Sequence, residues 1–478
     1  MQQDRATKVP PRLRPRGAGR YGVRAARVAT ASLACVLVVA LTAGPAVAGV
    51  PRSSLVPAEP TAWTLWSPGG STELVGIDVA TDAIVASILI PDSIGDNVGG
   101  TAGELAITPN GQTAYLAVEW AREVLPIDLT NQTLGNPIKV GNEPVSVAVT
   151  PNGSHAYVLG FVNLQHASVV AINTSNRSTG KAVRVGPLES AGAGGLAITP
   201  DGRTVWVSSA ENGTVTPISA RTGKAGKPIS VGAFPTSLAV TPNGTTLWVA
   251  NSLDDDLVPV DLATSKVGKK VRLGASPIDL SIAPNGAYAF AALGSPANGA
   301  DRVTLSGSHA VTRIPLVDPT DVPLQVDAGA VEPAGGTAFF CGASEAVIAP
   351  AVVATASPSA PIVLADGVSQ ISAIAITPDQ APRAEFTVGV SGLTVSLNAS
   401  SSSAWFGTIA RYSWRFGDGA TSRQGPTTSH TYAKKGKYTI TLVVTDSLGT
   451  STSVVFTGQT VSRNGGRRAL KSTVIDIG

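Results

Sequence analysis

The 478-residue chain carries 35 Lys and Arg against 32 Asp and Glu. Eight of those bases but one of the acids fall in the first 48 residues, so the remainder stands at 27 against 31, a net −4 that gives no footing for nucleic-acid binding. With Cys35 and Cys341 its two cysteines, the chain is no disulfide scaffold, and a charged fraction of 14% against about 25% in ordinary domains leaves ion-pair networks a minor part in the fold.

Residues 1–48 read as an export signal. Arg5, Lys8, Arg12, Arg14, Arg16, Arg20, Arg24 and Arg27 make a basic leader; an apolar run from Val28 to Leu41, Pro45 and the small-residue site Ala46-Val47-Ala48 follow. Cleavage before Gly49 predicts a secreted or cell-surface protein. The competing reading is an uncleaved anchor, because Val28 to Val50 holds no charge and is long enough to span a bilayer. No second long apolar segment follows, so no membrane span is expected after cleavage. Residues 49–57 are a linker.

From residue 58 a repeat governs the chain. "AITPNG" at Ala106, "AVTPNG" at Ala148, "AITPDG" at Ala197, "AVTPNG" at Ala239, "SIAPNG" at Ser281, "AVEPAG" at Ala330 and "AITPDQ" at Ala375 share one pattern. Their prolines, Pro109, Pro151, Pro200, Pro242, Pro284, Pro333 and Pro378, are 42, 49, 42, 42, 49 and 45 residues apart, the length of a four-stranded propeller blade. Each segment predicts a short strand entering a tight turn, with proline presetting φ and glycine taking the left-handed corner. Six residues after the first six prolines stand Tyr115, Tyr157, Trp206, Trp248, Phe290 and Phe339, expected to pack blade on blade.

Each aromatic strand is followed by a polar loop and a hairpin such as "LVPVDLATSKVGKKVRL", with two degenerate copies near Arg302 to Val317 and Glu345 to Leu364. The first hairpin, at Leu74, lacks a preceding turn motif, but Trp66 occupies about the aromatic's place. The last motif, at Ala375, lacks its aromatic strand. N-terminal strands 62–90 and a C-terminal strand 372–378 are therefore expected to complete one blade between them, closing a seven-bladed β-propeller over residues 58–382. The turns, the "LWVAN" run at Leu247 to Asn251 and the hairpins resemble the YVTN-type seven-bladed propellers of bacterial and archaeal secreted and surface-layer proteins.

Beyond Pro382 the period stops. In "RYSWRFGDGATS", Tyr412, Trp414 and Phe416 alternate toward one face and Asp418 sits in a turn; in "HTYAKKGKYTITLVVTDSLG", Tyr432 and Tyr438 accompany an alternating strand. These residues predict a short antiparallel sandwich and resemble the PKD domain, an immunoglobulin-like module, over residues 383–462. That resemblance implies adhesion or spacing, with occasional help in holding a polymer. Residues 463–478 are expected to be a basic tail. The fold class is all-β: a seven-bladed β-propeller followed by an immunoglobulin-like (PKD) β-sandwich.

No catalytic set is visible. His155, His166, His309 and His430 show no metal-ligand spacing, with His155 expected to be a solvated strand residue and His430 to make a structural hydrogen bond. Cys341, in an apolar run, reads as a buried small hydrophobe. Asp254, Asp255 and Asp256 read as a solvated acidic loop rather than a calcium loop. Loops joining second to third strands, and fourth strands to the next blade, emerge on one side of the ring; Glu119, Arg122, Glu143, Glu211, Asn212 and Asp254 are ligand candidates by that position. The expectation is an exported non-enzymatic protein binding protein or glycan at the cell envelope, with no cofactor and no catalytic or metal residue. The alternative is a propeller-type lactonase or lyase with a metal at the central channel.

Overall fold

The computed structural model describes residues 60–478 apart from segments 69–70, 92–104, 120, 163–165, 188–193, 295–296, 343–345, 365–368 and 459–460. The leader 1–48 and the linker 49–57 lie outside the described residues.

The repeated turn explains its own composition. At Thr108, the Gly111 N–H donates to the Thr108 carbonyl (2.8 Å), the Thr113 N–H to the Thr108 hydroxyl (3.0 Å) and the Gln112 N–H to Asn110 Oδ1 (3.1 Å). The same three bonds recur at the Thr150, Thr199 and Thr241 turns. Gly111, Gly153, Gly202, Gly244 and Gly286 sit at φ between 69° and 71°, where a side chain is strained. A Cβ on Gly153, Gly202, Gly244 or Gly286 would stand 3.3–3.6 Å from Cδ of the preceding repeat's proline. Adjacent turns thus stand close enough around the ring that a side chain at this corner would meet the proline of the turn before it.

Among the described residues, seven sheets follow this turn. Their innermost strands are Leu105–Ile107, Glu143–Val149, Leu196–Ile198, Pro235–Val240, Pro277–Ile282, Ala328–Val331 and Ser369–Ile376. The last belongs to the closing blade, in the order Ile84–Ile90, Thr72–Asp78, Thr61–Pro68, Ser369–Ile376; Thr61–Pro68 runs antiparallel to both neighbours, pairing Trp63 with Gly76 and with Ala375. In the sheet that begins at Ala328, the outermost position is split into Ser357–Pro358 and Ile362–Val363, both paired with Val347–Val352. The blade that begins at Leu105 is split in the same way, Thr133–Leu134 and Ile138–Lys139 both pairing with Glu123–Asp128, so the break belongs to the repeat.

The buried rings lie between blades. Trp66, Tyr115, Tyr157, Trp206, Trp248, Phe290 and Phe339 are all buried. Tyr115 packs with Val147 and Val149 of the next blade, Trp206 with Leu238 and Leu247, Trp248 with Leu280 and Ile282, and Phe290 with Ala338 and Phe340. Trp66 and Phe339 share one cluster across the closing seam. Cys341 lies in that cluster, and burial pushes its thiol up, away from the thiolate.

The sandwich pairs Thr387–Ser391, Thr394–Asn398 and Thr427–Thr431 in one sheet, and Thr421–Ser422, Ile409–Arg415, Gly436–Asp446 and Leu470–Ile477 in the other. The expected tail, 463–478, is corrected here: Leu470–Ile477 is an edge strand along Gly436–Asp446, burying Ile475 and Ile477 in the sandwich core. Trp414 fills that core, and the Tyr432 hydroxyl donates to the Phe416 carbonyl (2.8 Å) while its ring stacks on Tyr438 at 4.0 Å. Asp418 accepts from the Ala420 N–H (3.0 Å) and meets His430 Nε2 at 2.7 Å; His430 lies flat on Phe416 at 4.2 Å.

Candidate functional site

The first strand of each blade has two unlike ends. Glu143 opens Glu143–Val149, whose far end feeds the Pro151 turn. The turn motifs therefore mark one face of the ring, and the six candidate residues mark the other.

On the loop face the structure joins some candidates and separates others. Arg122 Nη2 donates to Glu143 Oε1 at 2.7 Å, linking two adjacent blades. Arg122 is at φ 56°, in the corner of a turn whose N–H donates to the Glu119 carbonyl (3.1 Å). Asn212 Nδ2 donates to the Ser209 hydroxyl (2.8 Å) within the corresponding turn two blades on, which also holds Glu211. Asp254 takes Lys270 Nζ at 2.6 Å and the Ala233 N–H at 3.1 Å; the lysine and that N–H hold its carboxyl below the usual carboxylate range. The six form an arc over four consecutive blades rather than one pocket.

The acidic loop is not simply solvated. Asp256 is fully buried, accepts from Asn251 Nδ2 (2.9 Å) and stands 3.1 Å from Lys270 Nζ, so the lysine lies between the two carboxylates. Asp256, Lys270, Asp301 and Arg313 were not candidates on sequence, yet a signal existed. The register sets an acid at the start of the third strand opposite a base in the fourth: Glu123 with Lys139, Asp256 with Arg272, Asp301 with Arg313. Asp301, itself buried, takes Arg313 Nε at 2.6 Å. Lys270→Ala is expected to destabilise the chain by about 1–3 kcal/mol by leaving buried Asp256 short of its cation, whereas Asp254→Ala should cost less than about 1 kcal/mol. Urea unfolding midpoints of the two variants give the comparison.

The turn face is partly covered, with a cavity of ≈ 600 Å³ left between the Pro109, Pro151 and Pro200 turns and Val454 and Asn464. Val454–Phe456 and Val461–Asn464 form a hairpin that leaves the sandwich and enters the ring: the Ile198 N–H donates to the Gly458 carbonyl (2.6 Å) and the Val240 N–H to the Thr457 carbonyl (3.1 Å). Phe456 and Val461 are buried with Leu196, Ile198 and Tyr157. Arg463 Nε donates to the Pro333 carbonyl (2.7 Å), and Gln380 Nε2 to the Pro109 carbonyl (2.8 Å). Beside this plug the channel keeps a cavity of ≈ 60 Å³ lined by Leu105, Ala239, Ser281, Gly329, Ile374 and Val461. Asp279 ties three innermost strands together, accepting from the Ser237 hydroxyl (3.0 Å) and the Gly329 N–H (3.0 Å). Among the described residues no three His, Cys, Asp or Glu side chains stand together as a metal site, and no helix is long and apolar enough to cross a membrane.

A sandwich with Trp414 at its centre, the "FGDG" turn closed on His430 and Tyr432 bonded to Phe416 matches a family model over residues 379–461. The sandwich is a PKD domain. This chain is 46% identical over 87 residues to the pre-pro-metalloprotease PrtV of Vibrio cholerae, a match over 18% of this chain and 9% of that protein, so it spans less than a tenth of that curated relative. The structure is similar to a putative 6-phosphogluconolactonase from Bacteroides uniformis (TM-score 0.52, 13% identity, 66% of this chain and 99% of that one). It is likewise similar to a functionally unknown protein from Desulfotomaculum acetoxidans (TM-score 0.52, 14% identity, 66% and 98%). At these identities the likeness is one of fold: a propeller to which this chain adds its PKD domain.

Proposed function

We propose that this is an exported, non-catalytic binding protein of the surface-layer YVTN type, whose propeller presents its loop face to a protein or glycan of the cell envelope while the PKD domain serves as a spacer. The observation that carries this reading is the plug. With Thr457 and Gly458 bonded to innermost strands at the turn-face end of the channel, the channel mouth away from the hairpin is the one bearing Glu119, Arg122, Glu143, Glu211, Asn212 and Asp254. The basic leader and export-type site at Ala46-Val47-Ala48 support delivery outside the cell.

The test is retention of the purified chain from Gly49 on envelope fractions of the producing cell, separated into protein and glycan. Retention is expected, weakened at least tenfold by Arg122→Glu combined with Asp254→Lys, with the melting temperature shifted by only a few degrees. Absence of retention on every fraction overturns the reading. The lactonase or lyase alternative is supported by likeness of fold alone, and Asp279, a carboxylate on an innermost strand, is already engaged by Ser237 and Gly329. Stoichiometric metal together with lactone-hydrolysing activity in the same preparation would put the alternative in first place.

A further inference from the structure

Where the chain passes from propeller to PKD domain, two carboxylates are buried against each other. Asp379 lies on Asp379–Gln380, just after the last propeller strand, and Asp446 ends the long PKD strand Gly436–Asp446. Asp379 and Thr450 are completely buried and Asp446 is 2% exposed. The Thr450 N–H donates to Asp446 Oδ1 (2.8 Å), yet Asp379 Oδ1 and Oδ2, Asp446 Oδ2 and Thr450 Oγ1 make no hydrogen bond of good geometry, although the Thr450 hydroxyl and the Gln380 N–H stand near enough to act on Asp379. Such a concentration of unsatisfied buried oxygens is rare in native proteins.

We propose that Asp379 and Asp446 share one proton and that this proton is a latch, holding the PKD hairpin in the propeller channel at acidic pH and loosening it as the pH rises to neutral. The charged groups acting on the pair are the two carboxylates themselves and Arg463, on the strand Val461–Asn464 that pairs in parallel with Asp379–Gln380. The guanidinium of Arg463 is already donating to the Pro333 and Ala334 carbonyls. Two ionised carboxylates beside one guanidinium leave a net negative charge out of water. One proton between them gives a carboxyl–carboxylate hydrogen bond, engages one idle oxygen of each carboxyl, and leaves a single anion for Arg463.

Burial, reinforced by the Asp446 charge, raises the Asp379 carboxyl to about 7, and Asp446 is raised as well, chiefly by burial. A carboxyl raised in the folded state stabilises most fully below the unfolded aspartate value of about 4. That contribution disappears as the pH climbs through the folded value. The hairpin borders the pair through Arg463, so it is the segment the lost proton frees.

Hydrogen exchange of the full chain tests this at the amides of Ile198 and Val240, which bond the hairpin tip. After correction for intrinsic rates, their protection is expected to fall by up to about tenfold per pH unit between about pH 4 and pH 7 and to level off above that, with Val158 and Val249, inside other strands, unchanged. In Asp379→Asn the amide donates to Asp446 in place of the proton, so protection should stay flat from pH 5.5 to 8.5; Asp446→Asn is the second variant should the first not fold. Wild-type protection that is already flat overturns the latch. So does full recovery of protection at pH 8.5 on adding calcium chloride, which would make the pair a cation site instead.

Discussion

A chain starting at residue 92 is expected to lose the propeller fold altogether. It would lack Thr61–Pro68, Thr72–Asp78 and Ile84–Ile90, and Ser369–Ile376 would have no partner. Trp63, Leu65, Leu74, Ile88 and Ile90 pack on Leu105, Ile107 and Leu116 to one side, while Trp66, Val75 and Ile77 pack on Phe339 and Ile348 to the other. At roughly 1.5–3 kcal/mol for each buried side chain, these eight match or exceed the entire net stability of about 5–15 kcal/mol that a folded protein has to lose. The gap also exposes two bare blade faces and a sheet edge open to intermolecular pairing. Insoluble product, with soluble material restored by co-expressing residues 49–91, is the expected outcome. A soluble truncated chain melting cooperatively at the wild-type temperature would show that the seam between first and last strands does not hold the ring.

Gly458→Val is expected to expel the hairpin from the channel. Gly458 sits at φ 111°, and a Cβ there would be 2.9 Å from the Val240 nitrogen and 3.3 Å from the Ala197 Cβ, both in the innermost wall. Valine can neither adopt that backbone nor fit that gap. Withdrawal breaks the bonds from Ile198 and Val240 and exposes Phe456 and Val461, a loss on the order of 3–5 kcal/mol. Limited proteolysis should then cut between residues 446 and 464 many times faster than in the wild type, while each module keeps its strand content by circular dichroism. Phe456→Ala, which removes burial without adding bulk, should give an intermediate cutting rate. Unchanged cleavage in Gly458→Val would mean that the tip does not depend on this contact.

The ring was legible because its determinants are local. Thr108 to Thr113 closes its turn within six residues, and Tyr115 declares the next strand two residues later, so the period survives even where the hairpins decay. The PKD domain was legible for the same reason: Asp418, Ala420 and His430 lie within thirteen residues of one another. The edge strand Leu470–Ile477 was missed because its inward positions include Lys471 and Thr473 before Ile475 and Ile477, a dilute alternation that resembles a solvated tail. The plug was missed because "VVFTGQTVSRN" reads as one more strand, and its partners Ile198 and Val240 lie more than 200 residues away. Of the candidate site, the face could be inferred from strand direction, but the pairing of Arg122 with Glu143 and the placing of Lys270 between Asp254 and Asp256 depend on which loops become neighbours, a property of closure rather than of any single repeat.

The polypeptide crosses between its two modules at residues 377–383 and reaches back once more through the inserted hairpin. A body tied by a single strand can swivel; one tied at two separated points behaves as a strut. On the proposed surface role, tension applied at the C-terminal strand would pass into the wheel through both ties rather than through one.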